Sequence, residues 1–277
     1  LALAAARVKC FGEDVKKKGI RGLPEVAVYA KEGAHVCVVK ACEILGHGSG
    51  CVRFFSSSDH LKQLVEEDRS RGVKPMVVVG TAGCVNRGTY DNLVALGEYC
   101  HQEDIWFHVD AAFGFWVLLA EDKWAALIDG LSTASSIALD FHKWTGVPYS
   151  AGACLIHDRE LHFKTFSSRP SYLSASHQGE AGSGGLAGGD LWFCDYGYDL
   201  SRPFTALKVW TVLKSVGTRT LGLTITDNCR QAARMASLVS ERNSKGEEGV
   251  WPAFEVVSNV CCLRVRADIN VKELAEK

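Results

Sequence analysis

The sequence predicts an α/β protein built on a mostly parallel sheet. Near-continuous Val/Ile/Leu runs, such as Met76–Val79 and Ile105–Val109, alternate with segments of helical apolar spacing. Strands that read as unbroken apolar runs are buried on both faces, which requires helices above and below the sheet. Two ionisable residues, Asp110 and Lys143, each follow such a run, Ile105–Val109 and Ile137–Leu139. Side chains just past the C-terminal ends of strands in an open α/β sheet point into the crevice where ligands bind.

The elements follow in order. Leu1–Ala6 is a helix-forming run, and His35–Leu45 has helical spacing that stops at Gly46. A second helix, with Ser58 or Asp59 as N-cap, carries Leu61, Leu64 and Val65 inward and ends at Gly72. Lys74-Pro75 leads into the strand Met76–Val79; Asp91–His101 is helical, and Ile105–Val109 is a strand again. Ala134–Leu139 and Ala151–Ile156 supply two more strands. Beyond Asp158, the segment Ser167–Gly189 is rich in Ser and Gly and reads as a long surface loop, a kind that is usually functional or disordered. Helices then run from about Arg202-Pro203, with Pro near the first helical position, to Ser215, and from about Thr218 to Arg242. Glu255–Arg266 reads as a hairpin or strand pair that opens a smaller C-terminal domain. The expected division is residues 1–215 for a large domain and 216–277 for the beginning of a small one. No internal repeat is visible.

Composition narrows the function classes. The 277 residues can bury a large core, and 47% apolar with 23% charged residues describe an ordinary globular protein. A formal net charge of −1, with Lys16-Lys17-Lys18 as the densest basic run, argues against nucleic-acid binding. The longest strongly apolar stretch, Phe113–Ala120, is too short to span a bilayer, and no signal peptide is visible. Eleven scattered cysteines include no CxxC pair, and His157 and His162 do not fit HExxH. No metal site is expected, and a reducing, cytoplasmic compartment is the simplest reading of the thiols. Leu1–Ala6 begins without a methionine or an N-cap, and Val271–Lys277 stops inside a starting helix, so the chain reads as a piece of a longer protein.

Asp110 and Lys143 lie 33 positions apart, a carboxylate and an amine facing one crevice. Burying two titratable groups together is costly unless chemistry uses them. Pyridoxal phosphate requires this pair: a lysine for the Schiff base, and an aspartate that keeps the pyridine nitrogen protonated. His35, in Gly33-Ala34-His35, opens a helix and could stack on a flat cofactor; alone, a histidine there is more often a cap.

The combination is more specific than any one residue. Ala34-His35, Thr81-Ala82-Gly83, His108-Val109-Asp110-Ala111-Ala112 and His142-Lys143-Trp144 occur in that order. Pro170-Ser171-Tyr172-Leu173, Ser176-His177-Gln178, Leu200-Ser201-Arg202-Pro203-Phe204 and Leu207-Lys208-Val209-Trp210 follow. Together they resemble the group II pyridoxal-phosphate-dependent amino acid decarboxylases, relatives of the aromatic amino acid, glutamate and cysteine sulfinate enzymes, over nearly the whole chain. The Gly182–Gly189 run matches a phosphate-binding fingerprint only loosely and is given no such role.

The resemblance implies PLP fold type I and pyridoxal 5'-phosphate as cofactor. It implies decarboxylation of an L-amino acid to the amine and CO₂, and a homodimer. It assigns Lys143 to the Schiff base, Asp110 to the ring nitrogen, and His35 and Ala112 to the two ring faces. His142 and Asp140 lie beside the lysine, near the cofactor phosphate and the substrate carboxylate. Tyr172 would return a proton to Cα, in a position where aldehyde-forming relatives have phenylalanine.

Four departures accompany it. Gly83-Cys84-Val85 replaces Gly-Thr-Thr, Cys37 stands where serine is common, and Asp140 stands where asparagine is frequent. The phosphate-binding Gly/Ser turn is expected before Leu1. Two alternatives stay open: another fold-type-I reaction, such as aldehyde synthesis or carbon–carbon lysis, and a truncated, non-catalytic relative. Leu200-Ser201-Arg202 resembles the aromatic-acid branch more than the glutamate branch.

Overall fold

Alternation along the strands decides the layering. In the computed structural model, which describes residues 1–168, 193–244 and 249–266, the first strand β1 is Val26–Lys31. Its Val26, Val28 and Ala30 pack into one apolar cluster, while Ala27 and Tyr29 pack into another on the opposite face. Successive side chains of a strand point to opposite faces, so this period of two means that both faces are covered. One layer is formed by α1 (Ala2–Phe11) and α3 (Cys37–Ile44), through Leu3, Ala5, Ala6, Val38 and Cys42. The short α2 (Val15–Lys18) lies between these two helices in sequence. The other layer is formed by α4 (Ser58–Ser70) and α5 (Leu93–Gln102), through Leu61, Val65, Leu93 and Leu96.

The remaining strands are β2 (Val52–Phe55), β3 (Lys74–Thr81), β4 (Trp106–Asp110), β5 (Ser136–Asp140) and β6 (Gly152–Ile156). They form a six-stranded sheet in the order β2-β1-β3-β4-β5-β6. All neighbouring pairs are parallel except β5 and β6, so the expected mostly parallel α/β sheet is present. The chain steps outward from β1 to β2, then returns to the other side of β1 as β3. This reversal is a topological switch point, and the crevice it opens lies outside the carboxyl ends of the strands.

Local chemistry sets the element ends. Ser57, one residue before the expected cap, caps α4 by accepting the His60 N–H at 3.2 Å, and Asn92 caps α5 by accepting the Ala95 N–H at 3.0 Å. β1 and β2 are additional to the strands that the sequence predicts, although Val26–Ala30 is a buried apolar run just after Pro24. After β6 come α6 (Arg159–Phe166), α7 (Thr205–Val216) and the long α8 (Thr218–Ser244). Ile225 and Cys229 of α8 join the same apolar cluster as Val109 of β4 and Ala111 just beyond it. The terminal hairpin pairs β7 (Val250–Pro252) with β8 (Leu263–Val265). Its first strand therefore precedes the expected Glu255 start. Residues 253–262 form the connection, closed by an Ala253 N–H bond to the Cys262 carbonyl at 2.7 Å. The Val271–Lys277 helix start lies outside the described residues.

Candidate active site

Strand register places the carboxylate. Thr81, Asp110 and Ala138 are partners across β3, β4 and β5 at the carboxyl edge of the sheet. Asp110 is half-buried there. One of its oxygens accepts the Ala112 N–H at 3.2 Å, and the other accepts the Cys37 thiol at 3.7 Å. Among the described residues, no lysine or arginine forms an ion pair with it.

One residue back from Val109, His108 points into the sheet. Its Nδ1 lies 2.9 Å from the Ser136 hydroxyl, which also accepts the Trp106 indole N–H at 2.8 Å. Burial pulls the His108 pKa down to about 4 even though the nearby Asp110 carboxylate pulls it up, so the ring is neutral. This neutral cross-link ties β4 to β5 just below the site.

Lys143 follows the end of β5 in a turn that is pinned on three sides. Asp140 closes β5, and its carbonyl accepts the Trp116 indole N–H at 2.8 Å. Trp144 stacks on Phe113, with centroids 4.7 Å apart and planes 18° apart, and its indole N–H donates to Asn228 of α8 at 3.0 Å. Phe113 directly follows Ala112, so this stack joins the Asp110 segment to the Lys143 segment. The Lys143 ammonium lies 3.0 Å from Asp140 Oδ2. His142 is held from its other edge, with Nδ1 3.1 Å from the Ala151 nitrogen and 2.8 Å from its oxygen, while Nε2 lies 3.7 Å from Asp140 Oδ2. Tyr149, with 78% of its surface exposed, tilts over the His142 ring at 4.2 Å.

His35 lies in the loop between β1 and α3, exposed at the crevice mouth. Its Nδ1 accepts the Cys37 N–H at 3.2 Å, which orients the ring and leaves the proton on Nε2. The Cys84 thiol donates to the Gly33 carbonyl at 3.6 Å and fixes the same loop from the β3 side. Burial, and then the Asp110 carboxylate, push the Cys37 pKa up to about 11, whereas the nearby Lys143 charge pulls it down. Cys37 is thus a protonated donor placed among His35, Asp110 and Lys143.

The structure therefore brings His35, Asp110, Ala112, Asp140, His142 and Lys143 to one edge of the sheet. Tyr172 lies outside the described residues. The part played by Cys37 was not legible in the sequence, because the partner of its thiol is 73 positions away. No metal-binding cluster of His, Cys, Asp and Glu occurs among the described residues.

Residues 1–265 match the pyridoxal-dependent decarboxylase conserved domain. The chain belongs to that family. It is 31% identical over 259 residues to an aromatic-L-amino-acid decarboxylase of Bacillus atrophaeus, covering 91% of this chain and 50% of the relative. It is 27% identical over 267 residues to a phenylacetaldehyde synthase of Arabidopsis thaliana, covering 93% and 50%. Mouse CSAD in its apo form superposes with a TM-score of 0.79 at 25% identity, covering 95% of this chain and 53% of that one. The chain spans about half the length of the curated relatives it matches. The likeness to solved decarboxylases fits the fold-type-I architecture expected above.

The donor set suits the family's cofactor. Among the described residues, a backbone N–H and a weak thiol donor are what meet this half-buried carboxylate, which leaves it open to a protonated ring nitrogen. A primary amine stands at the neighbouring strand end, and an imidazole is fixed by its Nδ1 at the crevice mouth.

Proposed function

We propose that this chain is the cofactor-binding core of an enzyme that releases CO₂ from an L-amino acid and yields the amine. One observation carries the reading. Asp110 and Lys143 stand at the ends of adjacent parallel strands, joined through the Phe113–Trp144 stack, at the switch-point edge of a decarboxylase-family fold. When bound, pyridoxal phosphate supplies a conjugated electron sink for the electron pair left as CO₂ departs.

The protein's own groups do the rest. Asp110 holds a proton on the ring nitrogen by Coulomb attraction across a partly dehydrated edge. The Lys143 amine would hold the cofactor through its aldehyde group, and Asp140 sets the direction of that amine from 3.0 Å away. By the family resemblance, His35 and Ala112 would hold the two faces of the ring. His142, braced by Ala151, stands beside the lysine, where a phosphate or a substrate carboxylate would need a donor. Tyr172 returns the proton to Cα, a role that rests on the family resemblance. The enzyme works as a homodimer in the cytoplasm. Among the described residues, no helix is long and apolar enough to cross a membrane.

Borohydride reduction of the cofactor-loaded protein, followed by peptide mass spectrometry, should give a pyridoxyl group on Lys143. Its absence would overturn the reading. A panel of L-amino acids assayed for CO₂, amine and aldehyde then defines the substrate, with aromatic acids expected first. Stoichiometric aldehyde in place of amine would overturn simple decarboxylation.

A further inference from the structure

The Asp110 carboxylate is oriented by two donors from different parts of the chain. The Ala112 N–H comes from its own turn, and the Cys37 thiol comes from the first turn of α3, beyond the switch point. A carboxylate held at only one oxygen can swing about its terminal torsion, which has a broad rotational well. Held at both, its plane is fixed. We infer that Cys37 is a positioning residue, whose thiol fixes the plane of the Asp110 carboxylate and so sets how well it meets the ring nitrogen of pyridoxal phosphate. This inference rests on the function proposed above.

Three features of the surroundings support the role. The Cys37 N–H also holds His35 Nδ1, so one residue orients both the carboxylate assigned to the ring nitrogen and the imidazole assigned to a ring face. Cys37 begins α3, and Val38 and Cys42 of that helix are buried against the sheet, so the thiol is carried on a rigid element. The residue is exposed as a whole, but partial desolvation of the thiol and the Asp110 charge keep it protonated near neutrality, so it donates and does not compete as a second anion. A thiol is also a weak donor, and it leaves more of the carboxylate's basicity for the ring nitrogen than a hydroxyl would.

The test titrates pyridoxal 5'-phosphate into the wild-type chain and into Cys37→Ala and Cys37→Ser variants, following the absorbance of the bound cofactor. Losing one hydrogen bond of this kind should weaken cofactor binding by roughly 3- to 10-fold in Cys37→Ala. Cys37→Ser retains a donor and should bind within about 2-fold of wild type, with its absorbance band moved by the stronger hydrogen bond. Rescue by serine separates positioning from simple packing. Unchanged affinity in Cys37→Ala would overturn the inference, as would equal weakening in both variants. If Cys37→Ala fails to fold, Cys37→Ser decides alone: binding weakened more than about 10-fold overturns the inference, and near-normal binding with a moved band supports it. Borohydride mapping of Lys143 on the same samples keeps the two ideas apart. A missing adduct in wild type sinks the proposed function, whereas an adduct with no Cys37 effect sinks only this inference.

Discussion

Asp140 Oδ2 holds the Lys143 ammonium at 3.0 Å, three residues along the chain, with the lysine side chain 37% exposed and the carboxylate 21% exposed. That pairing presents the amine in a single direction before any cofactor arrives. Partial exposure limits what it adds to folding, to less than about 1 kcal/mol. Asp140→Asn should therefore leave the melting temperature nearly unchanged. Capture of limiting pyridoxal phosphate on Lys143 should fall about fivefold, equivalent to ~1 kcal/mol. Mass spectrometry of the reduced adduct reads the second effect and calorimetry the first.

Gly152 lies opposite Asp140 across the antiparallel β5–β6 pair, and a Cβ there would sit 2.5 Å from Asp140 Oδ1. Gly152→Ala should push the carboxylate away from Lys143 at a folding cost below about 1 kcal/mol, because the displaced atom is the end of a side chain in a partly exposed ion pair. Gly50→Ala meets open space and serves as the control. Capture of limiting pyridoxal phosphate on Lys143 should fall in Gly152→Ala and hold in Gly50→Ala; equal capture would contradict the close approach.

Ser136 is 1% exposed, and its hydroxyl joins the Trp106 indole N–H to the His108 ring. Ser136→Ala leaves buried polar groups without a partner, at a cost of about 1–3 kcal/mol. The loss should appear as a lower urea midpoint with an unchanged m-value.

His108 carries a pH dependence with a definite sign. Its folded pKa is depressed from 6.5 to about 4 by burial, so between these values the unfolded chain binds a proton that the folded chain refuses. Stability is therefore full above about pH 6.5 and falls as pH drops toward 4, by up to a few kcal/mol. Urea midpoints measured between pH 7 and 5, a window largely above the carboxylates, should fall for wild type and stay flatter for His108→Gln. Parallel slopes would show that other groups govern the acid response.

Much of the site was legible because it follows directly from strand chemistry. Asp110 and Lys143 each come just after an apolar run, and such runs end at the carboxyl edge of a parallel sheet. Their relationship needed only a correct assignment of β4 and β5. His35 was legible as a residue at a helix start. Cys37 and Ser136 act through contacts with Asp110 and His108, and only the fold decides which chain segments become neighbours. β1 illustrates a different loss. Val26–Lys31 has the apolar run of a buried strand, but it follows Pro24 with no helical segment to frame it, and its partner β2 is only four residues long. In the last hairpin, Cys261-Cys262-Leu263 marks the second strand in the sequence, whereas the first is only Val250–Pro252 and too short to carry a pattern.

The register Thr81–Asp110–Ala138 also works as a ruler. Neighbouring strands are spaced at a fixed pitch of about 4.8 Å, and a slip of one residue would turn Asp110 to the opposite face of the sheet. The distance between the two halves of the site is therefore graduated by backbone hydrogen bonds and does not drift with side-chain size. Loops around such a ruler can lengthen, shorten or change composition while the scale beneath them stays constant. Variation in what the crevice accepts can accumulate at its rim without recalibrating the pair at its floor.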